Sequence, residues 1–128
     1  MPNSASVGAF FGKTCAIFTA AGQDTGAIGF NEVPPYYKDR NFQLVGSGTG
    51  YSVQLFGTFD QNTATGVPGA SEWFPLPASL NGTANPMTSA ASRFYHYTGS
   101  LAAVRAVASA DNPSTPSGTI LLLIYTAA

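Results

Sequence analysis

Hydrophobic and polar residues along this chain follow the two-residue period of β-strands more clearly than the longer period of helices. The clearest example is YSVQLFGTF at 51–59, in which Tyr51, Val53, Leu55, Gly57 and Phe59 fall on one face. The alanine-rich stretch 101–109 is also compatible with a helix, but the turn-forming residues on both sides favour a strand. Strands are predicted at 13–20, 27–30, 41–48, 51–59, 71–78, 93–99 and 101–109, and in the C-terminal run.

That C-terminal run does not alternate. Residues 120–125, ILLLIY, are apolar or aromatic throughout, so both faces of the predicted strand require cover. One face would meet the opposite sheet, and the other would be covered by a loop, by the aromatic segment 93–99 or by a second subunit. We favour a partner, and we predict Ile120, Leu122 and Ile124 as interface residues.

Fourteen glycines and nine prolines divide the chain into short segments, with loops predicted at 31–40, 60–71, 79–92 and 110–118. Strands of this length at this spacing are typical of an all-β domain. We predict a single β-sandwich or jelly-roll-like domain of seven or eight short antiparallel strands over residues 13–128. Residues 1–12 are predicted to be a flexible or docking N-terminal arm.

The low charge of the chain narrows its functions. Charged residues make up 9% of the sequence, against about 25% in ordinary soluble domains, and the formal net charge is −1. Without a basic stripe, binding to nucleic acid or to an anionic membrane surface is not expected. No apolar run reaches the ~18 residues of a membrane span, and the N-terminus lacks the positive region of a signal peptide. A surface with so few charges is expected to be buried in part against a protein partner.

Residues that could carry chemistry are sparse. His96 is the only histidine and Cys15 the only cysteine, so neither a zinc set nor a catalytic triad can be assembled around them, and we expect Cys15 to be a small core residue. We predict no catalytic residue, no metal site and no cofactor, and therefore no enzyme. The aromatic residues Trp73, Tyr95 and Tyr97 could stack on a sugar, although core positions are the more common use of such residues.

The succession GTGYSVQLFGTFD, ASEWFPLPA, LAAVRAVAS and SGTILLLIYTA resembles small β-sandwich structural proteins of tailed bacteriophages. In those proteins a strand ending at an aspartate turn leads to a tryptophan strand, then to a strand with a V-R-a-x-V pattern, and finally to a "G-T-hydrophobic" strand. The resemblance covers residues 41–127.

The resemblance implies a virion component, and capsid decoration (cement) proteins are the most similar group. Such a protein would bind the major capsid protein on the outer surface of the shell and bridge neighbouring capsomers, as a homodimer or homotrimer. The alternative is a tail, fibre or baseplate module that binds host carbohydrate or another tail protein. Arg105, inside an otherwise apolar strand, needs a charged partner and is predicted at an interface. The complete set of predicted interface residues is Val7, Phe10, Phe11, Pro34, Tyr36, Tyr37, Arg40, Arg105, Ile120, Leu122 and Ile124.

Overall fold

The computed structural model describes residues 4–10, 13–30, 37–59, 73–80, 82–111 and 115–126. Within these ranges the chain forms twelve strands and no helix, so the predicted all-β class is confirmed while the predicted number of strands is too low. In chain order the strands are β1 (Ser6–Phe10), β2 (Lys13–Phe18), β3 (Ile28–Gly29), β4 (Tyr37–Val45), β5 (Tyr51–Thr58), β6 (Phe74–Pro75), β7 (Ser79–Leu80), β8 (Thr83–Ala84), β9 (Met87–Thr88), β10 (Phe94–Ser100), β11 (Ala103–Ala110) and β12 (Ile120–Thr126).

The longer strands form two antiparallel sheets. The first sheet has the order β1-β2-β12-β4-β10, which places the C-terminal strand β12 in its centre. The second sheet has the order β3-β11-β5-β6, and β9 also pairs with β5. A separate hairpin, β7-β8, contacts β10 at the margin of the first sheet.

The larger of two clusters of buried hydrophobic residues in the described ranges lies between the two sheets. The first sheet contributes alternate residues such as Phe18, Phe42 and Leu122, and the second contributes Val53 and Leu55, all of them buried in one cluster. Because side chains on a strand alternate between faces, each sheet presents one apolar face to the other. The result is a β-sandwich-like arrangement.

Each predicted strand is confirmed. The segments 13–20, 27–30, 41–48, 51–59, 71–78, 93–99 and 101–109 each contain a strand, and Ile120–Thr126 forms the last one. The turn between β4 and β5 contains Gly50, which has a φ of +74°, and a Cβ at this position would lie 2.5 Å from the carbonyl oxygen of Thr115. Position 50 therefore requires glycine, because this turn packs closely against the chain at Thr115.

Three predictions about irregular segments are corrected. The loop predicted at 31–40 ends earlier, because Tyr37–Arg40 continue β4 towards its N-terminus and pair with β10. The loop predicted at 79–92 contains the short strands β7, β8 and β9. Residues 6–10 of the predicted flexible arm form β1, which pairs antiparallel with β2 over its whole length. The loop predicted at 60–71 lies outside the described residues.

A buried asparagine contributes to the cover of β5. The side-chain amide of Asn85 accepts a hydrogen bond from the Leu55 amide (2.9 Å) and donates to the carbonyl oxygens of Leu55 (3.0 Å) and Leu76 (2.9 Å). Asn85 thereby provides buried hydrogen-bond partners for backbone groups of Leu55 and Leu76.

Candidate interaction surfaces

The outer face of the first sheet is the side that points away from the second sheet. On β12 the residues Ile120, Leu122 and Ile124 point into the core, so Leu121, Leu123 and Tyr125 point outward. Among the described residues, no other strand layer lies over this face. In the described part of the structure, the second face of the ILLLIY run is therefore not covered by a further strand layer.

The strand register assembles the outward residues into rows across the sheet. Leu121 lies between Ile17 on β2 and Val45 on β4, and one step along the strand Leu123 lies between Cys15 and Gln43. The second row continues to Gly8 on β1 and to Phe94 on β10. Neighbouring side chains in such rows lie about 5 Å apart, so the rows form one continuous patch, which we call the outer patch: Gly8, Cys15, Ile17, Gln43, Val45, Phe94, Leu121 and Leu123.

Several apolar side chains of this face are exposed. Ile17 is 38% exposed, Phe94 is 45% exposed and Tyr125, which borders the outer patch, is 49% exposed. Isolated exposed apolar residues are common, whereas their clustering on one face of one sheet is typical of an interaction site.

A shallow hollow lies at the β1 side of the outer patch. It has a volume of about 370 Å³ and is lined by Ser6, Val7, Gly8, Ala9, Cys15, Ile17 and Leu121. A Cβ atom added at Gly8 would meet no atom within 4 Å, so the absence of a side chain there leaves open space. Cys15 is buried, as expected, but its side chain lies on the outer side of the sheet and not in the cluster between the two sheets. Burial raises the pKa of its thiol.

Two opposite charges flank the outer patch at the same end of the strands. The Lys13 ammonium lies 5.8 Å from the centroid of the Tyr125 ring. Asp39 accepts a hydrogen bond from the Thr98 hydroxyl (2.8 Å) and lies 3.5 Å from Nε2 of His96. The hydrogen bond from Thr98, followed by the one from His96, lowers the pKa of the exposed Asp39 carboxyl.

β1 provides a second candidate surface, namely its free edge. Among the described residues it pairs along its length only with β2, and Ser6, Val7, Gly8 and Ala9 are all exposed. Edge strands are usually protected by charged residues, proline or a bulge. The sequence SVGAF contains no charge and no proline, and its register with β2 is continuous. The edge of β1 is therefore open to pairing with another strand.

The structure corrects the predicted interface residues of β12. Ile120 and Leu122 are fully buried and Ile124 is 4% exposed, all within the core cluster. They cannot reach a partner, because the second sheet covers them. The residues of β12 that a partner could contact are instead the outward residues Leu121, Leu123 and Tyr125.

Arg40 is also misplaced by the sequence prediction. It is buried because it shares the inward face of β4 with Phe42 and Leu44. Its guanidinium carbon lies 3.7 Å from the centroid of the Phe30 ring, and Nη1 donates to the Thr126 hydroxyl at 3.2 Å. The long side chain therefore packs inside the domain rather than against a partner.

Arg105 does have the charged partner that its sequence context requires, but the partner belongs to the same chain. Its Nε donates to both carboxylate oxygens of Asp24 (3.0 and 2.9 Å), and its Nη2 donates to Oδ2 at 2.6 Å. Partial burial alone would raise the pKa of Asp24. The hydrogen bonds from Arg105 and from the Gly26 amide, together with the charge of Arg105, outweigh burial and lower that pKa.

The remaining predicted interface residues divide into two groups. Val7 is 43% exposed and lies on β1, a position compatible with a docking role. The side chains of Phe10 and Tyr37 are outside the described part of the structure, as are the whole residues Phe11, Pro34 and Tyr36.

Two of the three aromatic residues considered for sugar binding are buried. Trp73 is 7% exposed and Tyr95 is fully buried, with its hydroxyl donating to the Pro77 carbonyl oxygen at 2.8 Å. Burial, followed by the influence of Tyr97, raises the pKa of Tyr95 to about 12. Tyr97 is partly buried and packs against the core. Stacking of a sugar on Trp73 or Tyr95 would require the core to open.

Two further observations concern the described ranges only. No group of three or more His, Cys, Asp or Glu side chains is close enough there to hold a metal ion. No helix in the same ranges is long and apolar enough to cross a membrane.

Comparisons with protein-family models, with curated proteins and with solved structures found no match to this chain.

Sequence reasoning missed the outward residues of the outer patch and the acidic partner of Arg105. A usable signal for the first was Tyr125, because a tyrosine in an apolar run prefers the side where its hydroxyl reaches water. Asp24 gave no such signal, since it lies in a glycine-bearing turn segment far from Arg105 along the chain.

Proposed function

We propose that this protein is a structural virion protein that binds the outside of an assembled phage capsid and stabilises it by bridging major capsid proteins. Its fold in this proposal is a jelly-roll-like β-sandwich, and its location is the outer capsid surface. The resemblance of residues 41–127 to small phage β-sandwich proteins supports the class. The low charge of the chain supports extensive protein contacts.

The observation that carries the proposal is the unprotected edge of β1. No strand within the described ranges pairs with its outward edge, and main-chain hydrogen bonds to a strand of another protein would supply the affinity. The exposed side chain of Val7 would supply apolar contact beside them. A protein that binds only the assembled shell stabilises that shell by mass action.

The test is co-sedimentation with shells assembled from the major capsid protein of the phage whose genome encodes this chain. We expect saturable pelleting at a fixed ratio to capsid subunits. Val7→Lys places a charge on the β1 edge, which blocks strand pairing, and should lower the amount bound at least about tenfold. Ser109→Lys, at an exposed position of β11 in the second sheet, is the matched control and should bind as the natural chain does.

Absence of pelleting by the natural chain would contradict the capsid role. Equal binding by Val7→Lys, with binding intact in the control, would contradict the role of the β1 edge.

The second candidate is a tail, fibre or baseplate module that binds another tail protein. The same open edge favours it, because strand pairing does not depend on which virion protein supplies the second strand. Binding to tail assemblies but not to capsid shells would select this alternative. Its carbohydrate form has lost support, since Trp73 and Tyr95 are buried.

A further inference from the structure

The first sheet is laid out symmetrically about its central strand. With the order β1-β2-β12-β4-β10, β2 and β4 lie one strand away from β12 on either side, and β1 and β10 lie two strands away. A twofold axis that runs along β12, just above its outer face, would therefore place β2 over β4 and β1 over β10 of a second copy. In such a dimer each residue of the face contacts a residue of the second copy at the symmetry-related position, so the two side chains must be compatible.

We infer that two copies of this chain pack their outer patches face to face about such an axis, forming a homodimer. The inference does not depend on capsid binding, because the dimer uses the face of the first sheet and the proposed capsid contact uses the edge of β1.

The central positions are apolar on both copies. Leu121 and Leu123 lie on the axis and would meet the same residues of the second copy. Ile17 on β2 would oppose Val45 on β4, since both pair with Leu121. The polar Gln43 would oppose Cys15, whose thiol is a weak donor and acceptor, so the amide does not face a purely apolar surface.

At the margins, a protruding ring would face a hollow. Phe94 and Gly8 lie in the row that runs through Leu123, at the two opposite outer strands. The axis would therefore place the exposed Phe94 of one copy above Gly8 of the other. The hollow of about 370 Å³ at Gly8 has room for a phenyl ring, and this contact would occur twice in the dimer.

The charges of the face are complementary under the same operation. Lys13 is level with Tyr125 and Asn41, so it would lie over Asn41 of the second copy. Asp39 is two residues further along β4, about 7 Å away, which is within reach of a lysine side chain. Lys13 of each copy would thereby approach Asp39 of the other, and this contact would occur twice in the dimer.

The size of the face indicates a weak but specific dimer. Five strands at a spacing of about 4.8 Å and six residues at about 3.4 Å each cover roughly 480 Å² of flat area per copy. The total for two copies, roughly 1,000 Å², lies near the lower limit for specific interfaces. We therefore expect association in the micromolar range.

The test is sedimentation equilibrium of the full chain over a range of concentrations. We expect a monomer–dimer equilibrium. Gly8→Leu fills the hollow while leaving the isolated domain intact, because a Cβ there meets no atom and the φ of Gly8 is outside the left-handed region. It should raise the dissociation constant at least about tenfold with an unchanged thermal transition of the monomer.

Phe94→Ala should weaken the dimer to a similar degree by removing the ring. Phe59→Ala is its matched control: Phe59 is 61% exposed but follows β5 of the second sheet, so its removal should leave the dissociation constant unchanged.

A natural chain that stays monomeric up to millimolar concentration would overturn the inference, and so would a trimer. Dimerisation of Gly8→Leu and Phe94→Ala with the dissociation constant of the natural chain would also overturn it. Because no capsid protein is present, none of these results depends on the proposed capsid role.

Discussion

At the scale of single residues, the ion pair between Asp24 and Arg105 connects the turn after β2 to the middle of β11. Both side chains are partly exposed, at 30% and 25%, and the pair forms three hydrogen-bonding contacts between Nε or Nη2 and the carboxylate. Such charge-assisted bonds are stronger than neutral ones, and partial burial limits screening by solvent. The Phe56 ring, 5.5 Å from the guanidinium carbon, packs beside them.

Asp24→Asn should destabilise the protein by about 1–2 kcal/mol at pH 7, because hydrogen bonds to charged groups contribute about 1.5–3 kcal/mol and partial exposure to solvent lowers that contribution. The folded pKa of Asp24 is lowered, so the stability that the pair contributes is present above the unfolded pKa of about 3.9 and is lost as the pH falls through the folded pKa. Urea unfolding from pH 7 to pH 2 should show the difference between the two proteins disappearing at the acid end.

Asp111→Asn serves as the control for removing a carboxylate, and we expect it to change stability by less than Asp24→Asn at pH 7. A difference between the natural chain and Asp24→Asn that is constant across the whole pH range would contradict the account.

At the scale of single elements, β12 shows what the sequence could and could not predict. Its existence and extent follow from six consecutive apolar or aromatic residues. The face on which each residue lies cannot be predicted from the sequence, because a run without alternation gives no indication of which residues point inward. Only the register with β2 and β4 decides this.

The positions of Arg40 and Asp24 could not be predicted from the sequence for the same reason. Arg40 is in a charged triplet that is typical of a turn, yet strand pairing with β10 carries it onto the inward face of β4. Asp24 meets Arg105 across 81 positions of sequence. Contacts at such distances depend on how strands are ordered in the sheets, which local patterns do not specify.

Leu122→Ala and Leu123→Ala should separate the two faces of β12. Leu122 is fully buried, so its truncation removes core packing and should cost about 3 kcal/mol. Leu123 is only partly buried on the outer face, so its truncation should cost the monomer about 1 kcal/mol. Denaturant unfolding at low protein concentration measures both, and Leu123→Ala should in addition weaken the dimer.

Equal destabilisation of the monomer by Leu122→Ala and Leu123→Ala, without an effect of Leu123→Ala on association, would contradict the assignment of the faces.

At the scale of the whole molecule, the proposed dimer and the proposed capsid contact fit together. The axis along β12 would place the β1 edge of one copy and the β1 edge of the other on opposite sides of the dimer. One dimer would then present two docking strands, which is the geometry required to bridge two neighbouring capsid subunits. Two linked contacts bind more tightly than one, because the second is effectively intramolecular.

Gly8→Leu should therefore bind capsid shells more weakly than the natural chain, even though the outward edge of β1 is retained. The expected loss in apparent affinity is at least about tenfold, since avidity commonly contributes 10²-fold or more. Binding isotherms from co-sedimentation at protein concentrations above the dissociation constant of the natural dimer would measure it. An isotherm that matches that of the natural chain would mean that one copy is sufficient for binding.

If the edge of β1 pairs with a strand of the capsid protein, hydrogen–deuterium exchange of its amides must slow when the protein binds the shell. Exchange of the Ser6–Phe10 amides should be compared in the free protein and in the protein bound to shells, with β11 as the internal reference. We expect the β1 amides that do not pair with β2 to become strongly protected on the shell, while the exchange of β11 is unchanged. Unchanged exchange throughout β1 in the bound protein would contradict this pairing.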